Sequence, residues 1–584
     1  MALFYNIKVV TTFLFASLFF GYGVIELQAS HHVSNHLQDV ATSQSLFSDD
    51  QPYRTAYHFQ PLKNWMNDPC GPMIYKGIYH LFYQYNPIGN GSPDGPRVWG
   101  HSTSLDLINW TPQPLTLLPQ LEANMNSSWT GSITILQDYK PAILFTGITP
   151  KNEQVQDLAF PKDLSDPYLR EWILVPQNPV MSPTQENKIN ATSFRDPTTA
   201  WWLPDGNWRV VIGSKIERRG LALLFRSKDF INWVQVDHPL YSYELTGMWE
   251  CPDFFPVNVN GIPIGVETSA IGPNVKHVLK LSLDDTKHDI YTIGTYDAFK
   301  DAYIPDVGFQ NDSSLRYDYG KYYASKTFYD SSKMQRLLLS WVNESSSLAD
   351  DIKKGWSGIH AVPRRVWLDI SGKQLIQWPI PEIESLRINP VILPIQLIKG
   401  GSVIEIPGIS AAQADVELSF GLRDLSNIEK FEASWTNPQL LCSQKGASVS
   451  GGLGPFGLLT LASVGLEEYT AVFFRIFKDY DNDKFVVLMC IDQSRSSLNP
   501  TTDKTTYGTF VNVNPIYEGL SLRILIDHSV IESFGGKGKN VITARVYPTL
   551  ATNDKARLYA FNYGRGSVQI TWLTAWSMKK ANIA

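Results

Sequence analysis

The chain has 584 residues, a length that corresponds to about four ordinary domains or two large all-β ones. Lys and Arg number 50 against 56 Asp and Glu, a formal net charge of −6, so the basic footprint of a nucleic-acid partner is absent. Apolar residues at 43% exclude disorder for the bulk of the chain, and 17 Trp, 27 Tyr and 28 Phe beside 36 Pro and 40 Gly point to short strands joined by many turns, hence an all-β protein.

Lys8 precedes an apolar run from Val9 to Ile25, and small residues follow at Ala29-Ser30. This is the pattern of a signal peptide over 1–29 and predicts secretion. The run is at the lower limit for crossing a membrane and no positive cluster follows it, so cleavage is expected, with no membrane partner afterwards. Residues 30–52 form a polar leader without periodicity. Four Cys are too few for a disulfide scaffold, so the core must carry stability, and Cys442 and Cys490 both lie in the C-terminal third, where they can pair. Asn-x-Ser/Thr sequons stand at Asn90, Asn109, Asn126, Asn190, Asn311 and Asn343.

From Tyr53 the chain reads as strands. Ile74 to Tyr85 predicts two strands about Gly77, and Ala142-Ile-Leu-Phe-Thr, Trp208-Arg-Val-Val-Ile and Leu221-Ala-Leu-Leu-Phe are short runs bounded by turns. Ser104-Leu-Asp-Leu-Ile-Asn-Trp110 recurs as Ser227-Lys-Asp-Phe-Ile-Asn-Trp233, with a looser copy ending at Trp172. The three Trp are 62 and 61 residues apart. A unit near 60 residues built of about four strands predicts propeller blades. The 333 residues from 53 to 385 divide into five units of about 67, a five-bladed β-propeller. Residues 386–400 read as a linker that includes a short helical connector. From 401 to 584 alternating runs such as Asp415-Val-Glu-Leu-Ser-Phe and Leu522-Arg-Ile-Leu-Ile-Asp predict a C-terminal β-sandwich.

A propeller gathers the inner strands of all blades about one axis, so acids remote in sequence converge. Three contexts are unusual: Asn64-Trp-Met-Asn-Asp-Pro-Cys-Gly-Pro72 with Asp68, Ser193-Phe-Arg-Asp-Pro-Thr198 with Asp196, and Met248-Trp-Glu-Cys-Pro-Asp-Phe254 with Glu250 and Asp253. Asp68 and Asp196 each precede Pro, which predicts an extended backbone at both. Asp253 reads as a buried structural carboxylate. No His/Cys cluster has metal-ligand spacing, so neither metal nor cofactor is expected.

Together the three stretches resemble glycoside hydrolase family 32, the plant acid invertases and fructan exohydrolases, and the resemblance runs from about Tyr53 to the C-terminus. It implies a five-bladed propeller with an appended sandwich. The Cys-Pro-Asp that follows Glu250 resembles the cell-wall branch, which implies an extracellular enzyme of the apoplast associated with the cell wall. Residue by residue, the resemblance makes Asp68 the nucleophile, Glu250 the general acid/base and Asp196 the transition-state stabiliser. Asn67, Trp65, Gln84, Trp129, Arg195, Asp284 and Lys287 are carried over as substrate-binding residues. A retaining glycosidase needs one ionised and one protonated carboxyl about 5–5.5 Å apart. Crowding by Asp196 is expected to keep Glu250 protonated, and Arg195 is expected to hold Asp196 ionised.

Two positions depart from the invertase pattern. Cys70 replaces an Asn next to the nucleophile, and Ser92 falls where a third rim Trp is usual. Against these losses, Leu283-Asp-Asp-Thr-Lys287 keeps the acid and the lysine that shape the glucose subsite of invertases. The leading expectation is a secreted retaining β-fructofuranosidase that hydrolyses sucrose. The alternatives are a fructan exohydrolase acting on inulin or levan, and a weakly active or inactive sugar-binding relative.

Overall fold

The computed structural model describes residues 51–118, 127–308, 315–423 and 425–583. The expected signal peptide, nearly all of the leader, and the sequons at Asn126 and Asn311 lie outside the described residues. Five antiparallel sheets follow one another along the chain and form the blades of a propeller. Blade I comprises Asn64–Tyr75, Ile78–Asn86, Val98–Ser104 and Thr111–Thr116, and blade II comprises Ser127–Ile135, Pro141–Ile148, Gln154–Pro161 and Trp172–Leu174. In blade III, Asn207–Ile216, Arg219–Ser227 and Trp233–Gln235 continue a broken inner strand made of Phe194–Arg195 and Trp201–Leu203. Blade IV runs from Trp249–Asn258 through Val275–Leu283 and His288–Asp297 to Ala302–Pro305. Blade V holds Tyr322–Asp330, Gln335–Val342, Arg364–Leu368 and Leu375–Pro379.

The repeated Ser-x-Asp-x-Ile-Asn-Trp sequence is the turn between the third and fourth strands of a blade. Leu107, Leu169 and Phe230 occupy the same place in its three copies, all with positive φ (66°, 46° and 66°) and all buried. A left-handed non-glycine residue costs conformational energy, and the turn repays it with side-chain caps. Asp106 accepts from the backbone N–H groups of Ile108 and Asn109 at 2.9 and 2.8 Å, and Asp229 does the same for Ile231 and Asn232. The indole N–H of Trp172 and of Trp233 closes onto the carbonyl of Leu169 and of Phe230.

The ring of blades is tied by Trp356–Ser357, which pairs in parallel with Asn64 and Trp65 at the start of blade I. A seven-residue helix, Leu348–Lys354, delivers that segment. Ser347 caps its N-terminus and Gly355 ends it at φ 76°. Such a short helix carries too little periodicity to be read from sequence.

Two seven-stranded antiparallel sheets form the sandwich, packed through side chains such as Val416, Leu418, Phe420, Phe456 and Leu458. The stretch 386–400 is not the linker expected. After a 3-10 turn over Pro381–Leu386, Arg387–Leu393 and Gln396–Ile398 pair with the last strand, Val568–Met578. The pairing partners lie between 170 (Ile398 to Val568) and 191 (Arg387 to Met578) residues away, and the prolines at 390 and 394 disguise the alternation. A disulfide joins Cys442, in the helix Pro438–Gln444, to Cys490 in the strand Lys484–Asp492.

Charged groups are buried where propeller meets sandwich. Both ring nitrogens of His58 face carboxylates, Asp527 and Glu532, each at 2.9 Å. Arg364 of blade V donates to Glu532 and, at 3.0 Å, to Asp318.

Candidate active site

Each inner strand is interrupted where it reaches the axis. Register shifts fall between Met66 and Pro69, Ser128 and Gly131, Glu250 and Asp253, and Tyr323 and Lys326. A bulge re-aims the side chains inside it. These four therefore turn Asn67 and Asp68, Trp129 and Thr130, Cys251, and Ala324 out of the regular alternation. Blade III uses a strand break instead. Asp196 has φ 65°, so it is left-handed rather than extended as its place before Pro197 predicted. Its N–H donates to Thr146 Oγ1 at 2.8 Å, and its carboxylate accepts from the Cys251 N–H at 2.9 Å. Those bonds hold a conformation that ordinarily costs about 1–3 kcal/mol.

The three acids of the sequence reading meet. Asp68 Oδ1 accepts from Asn67 Nδ2 at 2.9 Å, and Oδ2 accepts from Thr130 Oγ1 at 2.8 Å. The Cys251 thiol lies 3.5 Å from Asp68 Oδ2 and 3.5 Å from Asp196 Oδ2, so those two oxygens are no more than twice that distance apart. Glu250 Oε1 accepts from Arg195 Nη2 at 2.8 Å and Nε at 3.2 Å, while its other oxygen accepts from the Tyr323 hydroxyl and faces Lys287 Nζ at 3.5 Å. Arg195 stands 4.0 Å from the Asp196 carboxylate that the sequence pairs it with, and closer still, at 2.8 Å, to Glu250. The same Nη2 reaches Asp284 at 3.3 Å, and Asp284 also accepts from Lys287. Asp253 turns away from the cluster and accepts the N–H of Thr327 at 2.8 Å, as a structural carboxylate does.

Burial, with Asp196 and Glu250 close by, pushes Asp68 up to about 7. Burial also raises Asp196, although Arg195 opposes it. Burial works against ionisation of Asp284 too, but Lys287 and Arg195 outweigh it and hold this acid below its ordinary value. Asp68 and Asp196 are thus crowded carboxyls whose ionisation is opposed, bordered by Asp284, which Lys287 and Arg195 hold ionised.

The guanidinium of Arg97 lies over the rings of both Trp65 and Trp129, at 5.1 and 5.7 Å from the centroids. Gln84 is buried, and its Nε2 donates to the Ser128 carbonyl at 3.2 Å and approaches Cys70 Sγ at 3.5 Å, which links blades I and II. Cys70 is fully buried as well. Ser92 is held in its own loop, where its hydroxyl donates to the Asp94 carboxylate at 3.2 Å and accepts from the Asp94 N–H at 3.1 Å.

Sequence reading missed Tyr323, Lys326 and Arg97. Lys326 Nζ is buried and donates to Ser132 Oγ at 3.0 Å and to the carbonyls of Pro197 and Pro252 at 3.0 and 3.3 Å, so one ammonium ties the inner strands of blades II, III and IV. No local motif marks these residues; only the ring of blades brings them to the axis. Among the described residues no group of His, Cys, Asp and Glu is arranged to hold a metal ion.

The chain is 63% identical over 541 residues to "Fructan 6-exohydrolase" of Beta vulgaris, which covers 92% of this chain and 89% of that protein. It is 61% identical over 545 residues to "Beta-fructofuranosidase, cell wall isozyme" of Pisum sativum, covering 93% and 97%. The crystal structure of fructan 1-exohydrolase IIa from Cichorium intybus superposes with a TM-score of 0.89 at 50% identity, over 91% of this chain and 99% of that one. The model of the glycosyl hydrolases family 32 N-terminal domain matches residues 58–379, and that of the family's C-terminal domain matches 382–577. With the propeller, the sandwich and the carboxylate cluster in place, the chain belongs to glycosyl hydrolase family 32.

Proposed function

We propose that the protein is a secreted, retaining β-fructofuranosidase that hydrolyses sucrose to glucose and fructose and acts in the cell wall. An ionised oxygen of Asp68 attacks the anomeric carbon of the fructosyl unit. Thr130 and Asn67, which donate to that carboxylate, orient it. As the glycosidic C–O bond breaks, Glu250 gives its proton to the departing oxygen. Glu250 then takes a proton from water, which attacks the same carbon and frees Asp68. Asp196, anchored by the Cys251 N–H, accepts from sugar hydroxyls as positive charge develops at the ring.

The observation that carries the sucrose reading is the chain Glu250–Arg195–Asp284–Lys287. It places an acid with two cationic neighbours beside the proton donor, where the leaving sugar must sit. The cell-wall reading draws support from relatives whose names place them there. A fructan exohydrolase is the second reading, supported by the missing third tryptophan and by the relative named for that activity. Purified protein should release glucose and fructose from sucrose faster than fructose from inulin or levan, and Asp68→Asn should lower every rate by about a thousandfold or more. Faster release from levan or inulin selects the second reading.

A further inference from the structure

Trp65 and Trp129 belong to the neighbouring inner strands of blades I and II, and Arg97 lies over both. Its backbone is fixed to blade II, where its N–H donates to Ser127 Oγ at 2.9 Å and its carbonyl accepts from the Ser128 N–H at 3.0 Å. Its side chain extends over the faces of both tryptophans. Among the described residues the guanidinium has no hydrogen-bond or ion-pair partner and lies against the two rings. A guanidinium can stack by its face and still offer N–H donors at its edge, because it is planar and weakly hydrated. Its surroundings also include the nucleophile: burial lowers its proton affinity, while Asp68 and Asp94 act in the opposite sense.

Charge is thereby divided across the pit. Arg195 and Lys287 stand on the side of Glu250, where the leaving group departs. Arg97 stands on the side of Asp68 and Thr130, where the fructosyl unit is attacked. Parallel N–H donors on one edge match two adjacent hydroxyl oxygens of a sugar ring.

On the fructosidase reading, we infer that Arg97 is a substrate-recognition residue that binds hydroxyl oxygens of the terminal fructosyl unit and forms, with Trp65 and Trp129, the third wall of the rim. Because that unit is common to sucrose and to fructans, Arg97 serves both substrates alike, unlike Asp284.

The test compares parent enzyme, R97M and R97K on sucrose and on a β-2,6-linked fructan trisaccharide. R97M keeps the stem against the rings and removes the donors. KM should rise about tenfold for both substrates, the loss expected for a charged donor, with kcat within about threefold of the parent. R97K, with a point charge in place of the fork, should fall between the two. Thermal midpoints show that both variants are folded. Unchanged KM for both substrates in both variants overturns the inference, and so does a change for one substrate only. A fall in kcat with a displaced pH profile and unmoved KM also overturns it, since Arg97 would then act through Asp68. A parent that cleaves no fructoside overturns the fructosidase reading along with the inference, whereas an active parent insensitive at position 97 overturns the inference alone.

Discussion

Arg195 donates to Glu250 at 2.8 Å while standing 4.0 Å from Asp196, its neighbour in the chain. The Arg-Asp-Pro motif therefore acts across blades: its arginine serves the acid of blade IV, and its aspartate is held by the Cys251 N–H of that same strand. Through Arg195, Glu250 is electrically continuous with Asp284, the acid proposed to face the leaving group.

That continuity predicts a selective defect. Asp284→Ala removes an acceptor for the leaving glucose and the shared ion-pair partner of Arg195 and Lys287. Sucrose kcat/KM should fall about 10- to 100-fold, the cost of a charged hydrogen bond. Release of fructose from inulin or levan should fall less. Parallel steady-state assays on the substrates check it, and equal losses on all of them would remove Asp284 from the leaving-group subsite.

The crowded acids shape the acidic limb of activity. Attack needs Asp68 ionised, and burial with Asp196 and Glu250 close by pushes that carboxyl up to about 7. In the free enzyme kcat/KM should therefore fall as pH drops below about 7. Asp196→Asn removes a negative neighbour of Asp68 and should shift this limb to lower pH as well as lower the rate. A pH–rate series on the two proteins measures the shift; a limb that stays in place removes Asp196 from the surroundings that set Asp68.

Cys70 leaves a buried acceptor unserved. Gln84 Oε1 has no hydrogen-bond partner among the described residues, and its amide nitrogen meets only the thiol and the Ser128 carbonyl. Cys70→Asn supplies an N–H to that oxygen and firms the support behind Asp68. Sucrose turnover should rise several-fold, by the roughly 1 kcal/mol of one recovered neutral hydrogen bond. Ser92→Trp, which the sequence alone recommends, is expected to add little, because Arg97 already covers Trp65 and Trp129.

His58 makes the propeller–sandwich contact sensitive to pH. Burial disfavours its charge, but hydrogen bonds to Asp527 and Glu532 outweigh burial and raise it to about 8 from 6.5. A raised folded-state value gives stability that is fully present below pH 6.5 and lost as pH rises through 8, about 2 kcal/mol in all. Glu532, held down to about 2 chiefly by Arg364 and His58 against burial, contributes in the opposite sense: its share is present above about 4.5 and lost only in strong acid. The thermal midpoint should decline between pH 6.5 and 8 in the parent, and the slope should flatten in His58→Gln, followed by calorimetry across that range.

The all-β class, the blade repeat and the three acids were legible in the linear chain because each has a local cause. Strand runs alternate over a few residues. The Ser-x-Asp turn satisfies its own backbone donors within six residues, so it recurs as a readable word. Asp68, Asp196 and Glu250 sit in motifs that hold them beside prolines and bulges. The partners of those acids had no such signature. Tyr323 and Lys326 come from the inner strand of blade V and Arg97 from the segment just before Val98–Ser104, and Arg195 chose between two carboxylates only once blade IV stood opposite blade III. The strand at Arg387–Leu393 likewise became visible only through Val568–Met578. Short-range hydrogen bonding writes itself into sequence, whereas the charge on a carboxyl and the choice of its cation depend on groups that closure of the ring brings within a few ångströms, and that distance belongs to the tertiary structure.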